Sequence, residues 1–222
     1  MEKLEKQMED MERCFGRIDG FLNYQGVLNT AQKIRGNEIF VDMLDEPEFA
    51  FDLFAHIEDT LSKLARHVQA RQRASGVDIG LFSVSNCVVS MISPDMYEKF
   101  ILPHDVALSR QFARFGMHTC NWNVTPYMVK LTGIEKIGYL DMSAGSDLDK
   151  TRRLFPDARL GIFVTPGDIE KQSLETLENE FRRVAQKAQP CDIVFADMTP
   201  KTDVGKFNAM IAIAEKIEEE FA

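Results

Sequence analysis

The chain has 222 residues, 45% of them hydrophobic, and carries 26 basic against 35 acidic side chains, for a net charge of −9. This length allows one large domain with a substantial core, and an acidic chain without a basic run is a poor partner for nucleic acid or an anionic membrane. No apolar stretch approaches the ~20 residues of a spanning helix, and the N-terminus lacks the apolar core of a signal peptide, so we expect a cytoplasmic protein.

The first predicted element is a charged helix over residues 2–14, and we divide the chain into an N-terminal helix (1–19) and a main domain (20–222). The main domain repeats a short apolar run, a polar loop and a longer segment with helical periodicity. Near-continuous apolar runs are typical of strands that are covered on both faces, as in a parallel sheet. The predicted strands cover residues 20–28, 77–85, 115–120, 137–142, 158–165 and 191–197.

A long amphipathic helix is predicted between the first two strands. Apolar residues recur at three- and four-residue steps over residues 49–68, with Pro47 where the helix begins and Gly76 where it ends. A second helix begins at Pro94, and Pro103 is predicted to break it into two pieces because proline cannot donate to the helical hydrogen-bond ladder.

Six consecutive strand-and-helix units fit either an open doubly wound sheet or most of an eight-stranded barrel. The first turn between strand and helix, YQGVLNTAQ, lacks the spaced glycines of a dinucleotide site, and the sequence contains no phosphate-binding P-loop motif. We therefore favour an α/β fold of the (β/α)8 TIM-barrel type with about six βα units. In this fold, functional side chains lie where strands end and loops begin.

The strongest local signal for chemistry is His118 and Cys120, which close a predicted strand. Side chains two residues apart on a strand point to the same face, so the imidazole and the thiol converge. They are two of the three protein ligands that an open zinc site needs. The spacing alone also fits a buried thiol beside a hydrogen-bonded histidine.

Other polar residues lie at or just after the predicted strand ends, where a barrel would gather them around one mouth. We predict that one cleft is lined by Asn86, Asn121, Trp122, Asn123, Asp141 and Asp197. Each has a structural alternative: Asp141 and Asp197 could cap loops, for example. Cys87 also falls at a predicted strand end but is expected to pack among apolar neighbours, and Cys191, at the start of its strand, is not expected to be a ligand.

Several segments, taken in order, resemble the uroporphyrinogen decarboxylase superfamily from about residue 20 onward. They are RGNE (35–38) with DEPE (45–48), ISPDMYEKF (92–100), HTC (118–120) with a following Thr-Pro pair, and TPKT (199–202). The resemblance implies a (β/α)8 barrel. Its histidine and cysteine are similar to those of a branch of zinc-dependent methyltransferases, which move a methyl group from a corrinoid to a thiol.

The resemblance also implies a third zinc ligand, which that branch takes from a cysteine just before the final Pro-Lys-Thr-like motif. The matching position here is Ala196, and we therefore expect the next residue, Asp197, to complete a site with His118 and Cys120. The decarboxylase branch carries an arginine-rich substrate motif ahead of the region where this chain begins, and this sequence has no such motif.

Our leading hypothesis is a zinc-dependent methyltransferase-like protein that acts on a small-molecule thiol, with a corrinoid, such as cobalamin on a corrinoid protein, as methyl donor. The alternatives are a decarboxylase acting on a tetrapyrrole and a non-catalytic partial barrel that binds a small molecule or another subunit. The resemblance implies that the chain is N-terminally truncated by about two βα units. Because six strands would leave a barrel unclosed, we expect a homodimer or a second polypeptide that supplies the missing units.

Overall fold

The computed structural model describes residues 2–221, and its centre is one parallel sheet of six strands. The strands follow one another in the sheet in the same order as in the chain, so each neighbour is the next strand. Every pairing is parallel, and helices make the return crossovers, which confirms the predicted α/β fold of the barrel type with six units. The strands are β1 (Tyr24–Gln25), β2 (Leu81–Ser85), β3 (Arg114–His118), β4 (Ile137–Ser143), β5 (Arg159–Val164) and β6 (Cys191–Phe195).

Eleven α-helices and one short 3-10 helix, at Cys87–Met91, surround the sheet in the described part of the chain. The helices are α1 (Glu2–Phe15), α2 (Val27–Arg35), α3 (Glu38–Asp45), α4 (Pro47–Ala74), α5 (Pro94–Phe100), α6 (Leu102–Ser109), α7 (Met128–Leu131), α8 (Leu148–Leu154), α9 (Pro166–Lys171), α10 (Leu174–Ala188) and α11 (Val204–Phe221).

The first strand is much shorter than predicted. Residues 20–28 were expected to form it, but only Tyr24–Gln25 is a strand and α2 already begins at Val27. The chain turns at Gly26, whose amide donates to the Ser85 carbonyl (2.8 Å). A Cβ at this glycine would lie 1.8 Å from Oδ1 of Asn86, so only glycine allows this close approach. The apolar run over 27–28 therefore belongs to the buried face of a helix.

The helix predictions hold well. The predicted long amphipathic helix is α4, which starts at Pro47 as expected and buries one stripe that includes Phe54, Ile57 and Leu61. The predicted break in the next helical region separates α5 from α6 at Ile101, two residues before Pro103. Ser93 caps α5 by accepting a hydrogen bond from the Met96 amide (3.1 Å).

The main core lies between the sheet and its helices and contains fully buried side chains from consecutive strands, among them Phe82, Phe115, Leu140 and Leu160. A second cluster joins α10 and α11 to the last strand. Strands β1 and β6 each pair on one side only within residues 2–221, so they form the two edges of the sheet.

The N-terminal helix α1 packs against α4 through a small apolar cluster that contains Met8, Ile18 and Val68. Its Glu5 also contacts His67 of α4. Within the described residues, no helix has the length and apolar character needed to cross a membrane.

Candidate metal centre

The candidate site lies at the carboxyl ends of β2, β3 and β4, three neighbouring strands of the sheet. Ser85 at the end of β2 is paired in register with His118 at the end of β3, and the Asn86 amide continues the ladder by donating to the His118 carbonyl (2.7 Å). Cys87 and Cys120 each follow two residues after this matched pair. The parallel register therefore brings the two segments out of the sheet side by side, just before the two cysteines.

Three side chains converge there. The ligand atoms of Cys87, His118 and Cys120 all lie within 4.8 Å of one another, and all three residues are partly exposed. The Cys120 sulfur is 3.2 Å from Nε2 of His118. Two sulfurs and an imidazole nitrogen form a donor set that could hold a metal ion.

Asp141 fixes the orientation of the histidine from the neighbouring strand β4. Its Oδ2 is 2.6 Å from Nδ1 of His118, while its Oδ1 accepts a hydrogen bond from the Thr119 amide (2.6 Å). The side chain is almost fully buried, with 1% of its surface exposed. Because Nδ1 is bound to the carboxylate, Nε2 is left to face the two sulfurs.

The same contacts shift the pKa values of the group. The hydrogen bond to Asp141, followed by a hydrogen bond to Cys87, raises the pKa of His118 to about 10. Burial acts to raise the pKa of Cys87, but its hydrogen bonds with His118 and Cys120 outweigh burial and lower it. Burial, together with the adjacent Cys87, raises the pKa of Cys120 to about 12. Without a metal, the arrangement thus favours a protonated His118 ring and lowers the pKa of the neighbouring Cys87 thiol.

The donor set fits zinc. Zinc–sulfur and zinc–nitrogen bonds of about 2.3 and 2.0 Å in a tetrahedral site place ligand atoms roughly 3.5 to 3.8 Å apart. The observed separations, 3.2 Å for Cys120 to His118 and at most 4.8 Å within the group, bracket that range. Three protein ligands leave the fourth tetrahedral position for a substrate, as in catalytic zinc sites.

Cys120 has a left-handed backbone, with φ of 59°. This conformation costs a residue with a Cβ of order 1–2 kcal/mol, so the surrounding structure must hold it in place. The amide of the preceding Thr119 donates to Asp141, and its hydroxyl donates to the Asp141 carbonyl (2.5 Å). These two hydrogen bonds anchor the chain just before the turn that brings the Cys120 sulfur back toward His118.

Asp197, the predicted third ligand, is near enough to this group for its charge to be among the causes that raise the pKa of Cys120. It is exposed after the end of β6, and its carboxylate is not among the three donors that converge. The structure contains a complete three-donor group without it. Cys87 was expected to pack among apolar residues. In the structure it is the third donor that converges with His118 and Cys120. The sequence signal for Cys87 was its position just after the predicted strand over residues 77–85.

The other predicted cleft residues have different environments. Asn86 is fully buried and donates to Asp105 (2.9 Å), while Asn121 and Asn123 are exposed. Trp122 packs edge-on against Tyr127, with 5.0 Å between ring centroids. The structure therefore brings Asp141 directly to His118, buries Asn86 and leaves Asn121 and Asn123 exposed to solvent.

A cleft of about 520 Å³ opens beside the site, over the carboxyl ends of β4 and β5. Asn121 lines it from the loop after β3, and Phe163 lines it from β5. The Phe163 ring also contacts the His118 ring, with 5.5 Å between centroids. Phe163 thus separates the cleft from the three-donor group, and Arg183 and Glu180 of α10 also line the cleft.

The remaining histidines lie outside the group. His56 bonds the Asp52 carbonyl one turn earlier in α4 (2.7 Å), and His104 contacts Glu58 (2.7 Å). Cys191 lies at the start of β6, at the opposite end of the sheet from the site, as the sequence predicted.

Comparisons with known proteins find similarity at the level of structure. No protein-family model matches the sequence, and no curated protein matches it. A solved structure, a methyltransferase from Methanosarcina mazei, is similar with a TM-score of 0.66 and 13% sequence identity. The alignment covers 87% of this chain and 57% of that chain, so this chain spans little more than half the length of the methyltransferase. At this identity, the similarity shows a shared fold.

Proposed function

We propose that this chain is a zinc-dependent methyltransferase-like protein, in which Cys87, His118 and Cys120 hold the metal and the neighbouring cleft receives a small-molecule thiol. The methyl donor in this proposal is a methylated corrinoid. When bound, zinc would lower the pKa of the substrate thiol and so make it a nucleophile at neutral pH.

The observation that carries the proposal is the convergence of two thiols and one imidazole, with a buried carboxylate behind the imidazole. A carboxylate on the far nitrogen of a histidine is the usual support of a metal-binding histidine, because it fixes the ring and makes it a stronger donor. The position of the group supports the proposal further, since functional residues of barrel enzymes lie at the carboxyl ends of the strands.

Each residue around the three donors has a separate role in this proposal. Asp141 holds His118 and anchors Thr119, which sets the approach of the imidazole and of Cys120. Phe163 covers one side of the imidazole and reduces its contact with water. The partial exposure of the three donors leaves a path to the fourth coordination position, next to a cleft that is large enough for a small thiol.

The structural neighbour supports the reaction class, since it is a methyltransferase with the same fold. The identities of donor and acceptor are proposals that derive from the resemblance of the sequence motifs. The two alternative functions are a decarboxylase that acts on a tetrapyrrole and a non-catalytic binding module.

Metal analysis is the first test. Protein purified without added metal should contain about one zinc per chain, or take up one with at least micromolar affinity, by inductively coupled plasma mass spectrometry and competition with a chromophoric chelator. Cys191→Ser is the matched control, since it removes a thiol at the opposite end of the sheet. A wild-type protein that takes up no zinc would contradict the proposal.

The second test follows the methyl group. Zinc-loaded protein mixed with methylcobalamin and a panel of small thiols should demethylate the corrinoid, which changes its visible absorbance, and should form a methyl thioether. Cys120→Ser should abolish this turnover. Stoichiometric zinc with no methyl transfer to any thiol, but with loss of carboxylate from a porphyrinogen, would favour the decarboxylase instead.

A further inference from the structure

The two cysteines of the metal-binding group lie close enough to raise a second possibility for their chemistry. They follow matched positions on neighbouring parallel strands, since Ser85 pairs with His118 and each cysteine comes two residues later. Neighbouring strands are about 4.8 Å apart, so the two segments leave the sheet side by side before Cys87 begins a 3-10 helix and Cys120 takes its left-handed conformation. Their sulfurs already lie within 4.8 Å of each other.

We propose that Cys87 and Cys120 form a reversible disulfide in the metal-free protein, so that the same pair of residues is either a metal site or a redox-modified, metal-free site. The proposal goes beyond the proposed function and does not depend on methyl transfer, because the disulfide requires only the two thiols and an oxidant.

A hydroperoxide is the oxidant in this proposal, and the reaction balances in two steps. The sulfur of one cysteine attacks the peroxide oxygen, the O–O bond breaks, and the products are a sulfenic acid and an alcohol or water. The second cysteine sulfur then attacks the sulfenic sulfur, an S–S bond forms, and water leaves with the proton of the thiol. The protein loses two electrons and two protons, and the hydroperoxide gains them.

The surroundings favour this outcome over irreversible oxidation. Both cysteines are partly exposed, so a small peroxide can reach them, and each has the other as a resolving thiol. The other cysteines cannot compete for the same bond, since Cys191 lies at the opposite end of the sheet and Cys14 lies in the N-terminal helix. A disulfide here would remove both sulfur donors at once and leave His118 alone.

The experiment uses the full chain with Cys14→Ser and Cys191→Ser, which leaves the two site cysteines as its sole thiols. Chelator-treated protein is exposed to a stoichiometric amount of hydrogen peroxide, and free thiols are counted before and after dithiothreitol. Trypsin places the two cysteines in separate peptides, residues 74–99 and 115–130. We expect both thiols to disappear, the two peptides to migrate as one linked species, and dithiothreitol to restore both thiols.

Two further measurements make the result decisive. Protein preloaded with zinc should lose its thiols at least about tenfold more slowly, because each sulfur is then occupied as a ligand. Cys87→Ser in the same background should give sulfenic or higher acids on Cys120 and no linked peptide. Thiols that persist, or that gain oxygen without a linked peptide in the two-cysteine protein, would overturn the proposal. If the disulfide forms as fast with zinc as without it, the disulfide proposal stands and the metal site of the proposed function is contradicted.

Discussion

Two strand ends of this sheet share an unusual backbone conformation but have different surroundings. Cys120 after β3 and Asp197 after β6 are the non-glycine residues with positive φ in the described part of the chain, at 59° and 57°. Cys120 faces two other donors and is partly buried, whereas Asp197 is exposed and lies outside the converging group. Local backbone geometry therefore does not by itself make a strand end into a site.

The position of the strand in the sheet explains the difference. Strand β3 has a neighbour on each side, so β2 supplies Cys87 and β4 supplies Asp141. Strand β6 is an edge strand that pairs only with β5, and its end has a neighbouring strand on one side alone. The donor group forms at the end of β3 because the segments on both sides of it supply a polar side chain, Cys87 on one side and Asp141 on the other.

Removal of a donor should have the largest effect. Cys87→Ser should weaken zinc binding by at least about 100-fold, since each ligand carries several kcal/mol of the total affinity of a zinc site. Asp197→Asn should leave the affinity within about twofold, because Asp197 is outside the group. Competition with a chromophoric chelator measures both. An equal loss in the two variants would show that Asp197 is a ligand, as the sequence predicted.

Zinc affinity should also depend steeply on pH. The pKa of the His118 ring is about 10 and that of the Cys120 thiol is about 12, so both groups carry a proton at neutral pH. Zinc must displace both protons when it binds. These two groups should therefore make the affinity rise by at least about 100-fold for each pH unit between 6 and 8, with release of at least about two protons per zinc. Calorimetry in buffers of different ionisation enthalpy counts these protons. Release of fewer than one would mean that the group binds zinc with its donors already deprotonated.

The support of the imidazole should matter less than the donors themselves. Asp141→Asn keeps the shape of the side chain but removes its charge, so it should weaken zinc binding by about 10- to 100-fold. Without zinc, the same variant should lower the pKa of His118, because the hydrogen bond to Asp141 is the largest cause of its elevation. NMR titration of the ring measures that pKa. An unchanged pKa would mean that Asp141 does not hold the ring in solution.

A second buried carboxylate provides a contrast to Asp141, since it lies outside the donor group. Asp105 is fully buried, accepts hydrogen bonds from Asn86 and Tyr97 on one oxygen, and its Oδ1 has no partner among residues 2–221. Burial raises the pKa of Asp105 from 3.8 to about 7. Between these values the folded state keeps a proton that the unfolded state loses, so stability falls as pH rises through this window.

The unfolding free energy lost through ionisation of Asp105 should amount to about 4 kcal/mol, since one pKa unit corresponds to about 1.4 kcal/mol. This loss is complete just above pH 7. In Asp105→Asn the contribution should vanish, because the amide does not titrate and still offers an oxygen to Asn86 and Tyr97. Urea unfolding at pH 5 and at pH 8 measures the difference. A variant whose stability changes with pH as much as that of the wild type would assign the dependence to other groups.

The assembly of the chain stays a prediction. The two sheet edges that the structure shows at β1 and β6 are the surfaces that a homodimer or a second polypeptide would cover. Light scattering on dilute protein distinguishes such an assembly from a stable monomer.

The sequence by itself determined the order of strands and helices, the long helix α4 and the pairing of His118 with Cys120, because these depend on periodicity within a short segment. It misjudged the first strand, where a close contact between Gly26 and Asn86 ends the strand early. It also favoured apolar packing for Cys87, whose sulfur the structure brings to His118 and Cys120, while the role of Asp197 stays a prediction. Only the tertiary structure decided which third donor joins the pair, because that depends on the register between β2 and β3, and strand register is a property of two distant segments that neither encodes alone.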